Sequence, residues 1–102
     1  MLDLRLDVQP KTAQRVKRVL DLAPDAETFA QNIIAYQIAE LKRGILNLRL
    51  DLKGYEEKYH RSTADFYREF SRGQTEDAED FMIWAGLLEM LEKNERRLRE
   101  LE

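Results

Sequence analysis

A mainly α fold is predicted for this chain: a short N-terminal strand that pairs with its copy in a dimer, then a short helix, one long helix and a C-terminal helical hairpin. Three observations predict it. Apolar residues recur at alternating spacings of four and three from Ile34 to Tyr59; Leu2, Leu4, Leu6 and Val8 alternate with charged residues; and residues that start and stop helices punctuate the rest.

The strand is read from period-two alternation, which gives one buried and one wet face. No other segment alternates in this way, so its backbone hydrogen bonds would have to be met by the same strand of another copy. Leu2, Leu4, Leu6 and Val8 would then form the dimer face, with Phe29 and Ile33 from the long helix behind them.

Pro10 suits the first turn of a helix because its missing N–H is not needed there. Ala13, Val16, Val19 and Leu20 give that helix an apolar stripe, and Ala23-Pro24 ends it. Asp25 is a plausible N-cap for the next helix, with Glu27 and Thr28 in its first turn. That helix carries the heptad: Ile38, Ile45, Leu52 and Tyr59 at one seam position, Leu41, Leu48 and Tyr55 at the other. Gly44 and Gly54 interrupt it, each costing about 1 kcal/mol against alanine, and Gly54 is the expected bend. Ser62 to Asp65 can cap a short helix bearing Phe66, Tyr67 and Phe70, which Gly73 ends. Thr75 introduces the last helix, with acids first, Phe81, Trp84, Leu88 and Leu91 as its stripe, and Arg96, Arg97 and Arg99 last, the order that suits a helix dipole.

At 102 residues the chain holds one domain's worth of core, and its 43% apolar and 36% charged residues suit amphipathic helices completed by a neighbour. Cysteine is absent, which removes disulfides, thiolate metal sites and thiol nucleophiles. No window approaches the roughly 20 apolar residues of a membrane span, and the first residues lack a secretory pattern, so a cytoplasmic location without membrane contact is expected. The net charge of −3 argues against a binder of nucleic acid held by bulk charge. Base is nevertheless concentrated early, where Arg5, Lys11, Arg15, Lys17 and Arg18 outnumber Asp3, Asp7 and Asp21.

Candidate chemistry is sparse. Glu57 and His60 have the spacing by which helix bundles place two metal ligands, but they lie on the outer side of the heptad and His60 is the only histidine. Glu76 to Asp80 is explained by helix-start electrostatics, and Phe81, Met82 and Trp84 by core packing. Two serines beside one histidine, with no glycine-rich phosphate loop, offer no nucleophile and base pair. No enzyme activity, metal or cofactor is expected.

The order strand, short helix, turn, longer helix resembles the ribbon-helix-helix DNA-binding unit over residues 2 to about 45. In that family paired strands enter the major groove, and the second helix holds a phosphate at its N-terminus. The resemblance implies a dimerisation unit over 1–45, with Asp3, Arg5, Asp7, Lys11 and Arg15 facing DNA, and a helical extension over 46–102. Asp3 and Asp7 put negative charge where a duplex would sit. The second half, with Tyr55 to Tyr59, Ser62, Asp65-Phe66-Tyr67, Phe70, Gly73 and Trp84, looks like the C-terminal part of small prokaryotic antitoxin-like proteins. Together the resemblances imply a homodimer or higher homo-oligomer, a small toxin protein as partner, and repression of its own operon. A structural helical oligomerisation module that does not bind DNA is the alternative. In either case Ile38, Leu41, Ile45, Leu48, Leu52, Tyr55, Tyr59, Phe81, Trp84, Leu88 and Leu91 would pack helix on helix or hold the partner.

Overall fold

The computed structural model describes residues 4–102, which form four helices: α1 (Pro10–Leu22), α2 (Ala26–Tyr59), α3 (Thr63–Ser71) and α4 (Glu79–Leu101). Mainly α is therefore correct, but the N-terminal strand and its dimer ribbon are not. Residues 4–9 hold no regular secondary structure, and no strand occurs among the described residues. Leu4, Leu6 and Val8 are exposed, while Leu2 and Asp3 lie outside the described residues. Alternation is necessary for a half-buried strand but not sufficient: no strand occurs among the described residues, so the segment has no ladder to join.

By packing, the chain divides into residues 1–36 and residues 37–102. The first unit contains α1 and the opening turns of α2. Pro10 starts α1 without any side-chain cap, and Ala23 turns extended before Pro24, as the residue preceding a proline is pressed to do. Asp25 then accepts the backbone N–H of Thr28 at 2.7 Å and caps α2, which also lowers its carboxyl below the ordinary range.

In the second unit α2 runs unbroken through Gly44 and Gly54, so the expected bend at Gly54 is absent. The chain leaves the helix at His60, whose φ of 54° is left-handed. The N–H of Arg61 returns to the carbonyl of Glu56, one of the two bonds of a Schellman closure. Gly73 ends α3 with φ of 70°: its N–H reaches Phe70 and that of Gln74 reaches Glu69. α4 begins at Glu79, later than Thr75 suggests, and runs antiparallel to α2. Lys58 pairs with Asp80, Arg49 with Glu95 and Lys42 with Glu102, so numbers fall along α2 as they rise along α4.

The core lies between these helices. Ile45, Leu48 and Leu52 from α2 meet Trp84, Ala85 and Leu91 from α4, and Phe66 of α3 closes one end. Phe66 and Trp84 are fully buried and stack with centroids 3.9 Å apart and planes 2° from parallel. Tyr55 and Tyr59 lie on the same indole at 5.7 and 5.8 Å. Such pairs add about 0.5–1.5 kcal/mol each beyond the area they bury, which lets a small unit hold a defined corner.

Candidate functional site

The two serines make local hydrogen bonds. Ser62 caps α3 by accepting from the N–H of Asp65 at 3.1 Å, and Ser71 donates to the carbonyls of Tyr67 and Arg68. His60 sits at the exposed exit of α2, and the described residues contain no group of three or more side chains able to hold a metal ion. Glu56 accepts the N–H of Thr63 at 2.7 Å, so a carboxylate of α2 ties the start of α3 into the corner.

A cluster of titratable groups joins α2 to α4. Lys58 donates to Oδ2 of Asp80 at 2.7 Å and the Tyr59 hydroxyl donates to the same oxygen. The hydrogen bond from Lys58, with that from Tyr59, holds the Asp80 carboxyl below its ordinary range. The bond to Asp80 also raises both the Lys58 ammonium and the Tyr59 phenol. Each group is thus kept in its pH 7 form, the reverse of what a general acid or base needs, and the cluster is a clasp between helices.

The residues read from the sequence fall into two sets. In the second unit, Leu41, Ile45, Leu48, Leu52, Trp84 and Leu91 are buried, and Ile38, Tyr55, Tyr59, Phe81 and Leu88 are half-buried. All of these except Ile38 and Leu41 form or line the unit's own core. In the first unit α1 contributes no buried residue. Ten of the sixteen exposed large hydrophobic residues among the described residues fall between Leu4 and Tyr36, so uncovered apolar surface is concentrated there. Leu22 is 87% exposed, Leu4 70% and Tyr36 66%. Ile33 is exposed and Phe29 half-buried. Lys11, Arg15 and Arg18 lie on α1 opposite Val16 and Leu20, by helical spacing. Arg5 and Asp7 belong to the irregular segment, so no ribbon carries them into a groove.

Besides the Glu56 bond to Thr63, sequence reasoning missed two features. Thr63 accepts the indole N–H of Trp84, and Asp80 binds α2 instead of only starting α4. Neither is signalled by periodicity, because both depend on which turn of α2 meets the start of α4.

No protein-family model matches this chain, and no significant match is found among curated proteins or solved structures. No helix among the described residues is long and apolar enough to cross a membrane.

Proposed function

We propose that this chain is an antitoxin-like interaction protein that binds another protein and carries no catalysis of its own, with residues 4–36 as the binding surface. The observation that supports this reading is the exposure of Val19 and Leu22 on α1, the helix that carries Lys11, Arg15 and Arg18, and of Ile33 and Tyr36 in the first turns of α2. Exposed large apolar side chains concentrated in this way on a small protein suit a protein contact, because leaving them wet forfeits about 25 cal/mol per Å². Phosphates neutralise lysine and arginine but do not cover leucine and valine, so a protein suits the surface better than a duplex. The partner's surface is apolar with an acidic rim, to meet Val19 and Leu22 together with Lys11, Arg15 and Arg18.

The placement differs from that expected of an antitoxin whose helical tail does the masking: here the tail's apolar seam is spent on its own core. The test is a double variant, Val19→Asp with Leu22→Asp, in the tagged chain expressed in its own cells. The expected result is loss of a stoichiometric protein partner with an unchanged melting temperature. Full retention of the partner, or loss of salt-dependent DNA binding instead, would overturn the reading.

A further inference from the structure

α1 receives little support from the rest of the chain. No residue from Leu4 to Tyr36 is buried, and no side chain of Pro10–Leu22 makes a hydrogen bond or an ion pair among the described residues. Its own sequence adds little more. Gln9 stands at the N-cap in extended backbone, but its side chain takes none of the free N–H groups. The first turn carries Lys11 and no acid, the last turn Asp21 and no base, and both charges oppose the helix dipole. Lys11, Arg15 and Arg18 follow at spacings of four and three, so like charges share one face, while Thr12, Val16 and Val19 are β-branched. A helix of 13 residues is marginal in water when nothing packs on it. α3 is the contrast: it has only nine residues, yet Ser62 caps it, Asp65 stands in its first turn and Phe66 is fully buried.

We propose that α1 is a local switch: it opens and closes on its own while residues 37–102 stay folded. The core built by Ile45, Leu48, Leu52, Phe66, Trp84 and Leu91 includes no residue of α1, so opening leaves that core intact. What the switch serves rests on the reading that residues 4–36 bind a protein. Covering Val19 and Leu22, with an acidic rim beside Lys11, Arg15 and Arg18, supplies the burial and the counter-charge that α1 lacks. Ordering of α1 and capture of the partner are then one event, and the affinity includes the free energy of closing the helix.

Hydrogen exchange of the full chain, free in solution and followed by NMR, tests the switch without a partner, so its failure is separate from a failure of the binding surface. The backbone amides from Gln14 to Leu22 are expected to exchange at least about a hundredfold faster than those of Leu48 and Leu91. Gln9→Ser with Thr12→Glu builds a capping box and alters none of the side chains assigned to the partner. It is expected to slow the α1 amides by about tenfold and to leave those of Leu48 and Leu91 unchanged. Amides of α1 that exchange as slowly as Leu48 and Leu91, or that do not respond to the new cap, would refute the proposal.

Discussion

Trp84 donates its indole N–H to the hydroxyl of Thr63 at 3.0 Å, in a structure that leaves no buried side-chain nitrogen or oxygen without a partner among the described residues. That bond fixes the start of α3 to the second turn of α4. Thr63→Val keeps the shape and strands the N–H, so a loss of about 1–3 kcal/mol in urea unfolding is expected. A loss below measurement error would mean that the indole finds water.

The clasp at Asp80 has a defined pH signature. The folded Asp80 carboxyl lies below its ordinary value, so the stability it adds is present above the ordinary aspartate pKa, about 3.9, and fades as pH falls through the lowered one. Lys58 and Tyr59 lie above their ordinary values, so their share is present below the usual lysine and tyrosine pKa values of about 10. It fades as pH rises through the raised ones. Melting temperature against pH should therefore fall at both ends, and Asp80→Asn should flatten both falls. Identical profiles for the two proteins would remove the clasp from the account.

His60 occupies a left-handed position with φ of 54°, which costs a residue with a Cβ about 1–2 kcal/mol. Its ring has no structural hydrogen bond among the described residues. His60→Gly should stabilise the fold by about 1 kcal/mol, or a few degrees in melting temperature. Destabilisation would reveal a role for the imidazole.

The heptad from Ile38 to Tyr59 was the most legible part of the fold, because a helix with one seam must turn that seam to a neighbour whatever the neighbour is. Leu48→Ala should cost about 2–5 kcal/mol, while Leu46→Ala, two residues away on an exposed face, should cost about 0.5 or less. Equal costs would mean that the register is wrong. The strand at Leu2 to Val8 was misread because alternation reports a local pattern, whereas a strand exists only with a partner. Asp80, Thr63 and Glu56 were opaque for a related reason: their roles arise where distant turns meet.

The central claim is that residues 4–36 bind a protein partner. Its most direct test is a photo-crosslinking residue placed at Leu22, with the same residue at Glu92 as the control, in the full chain inside its own cells. The expected result is one discrete adduct with an acidic protein from Leu22 and none from Glu92. No adduct from Leu22, or one made only of nucleic acid, would contradict the claim.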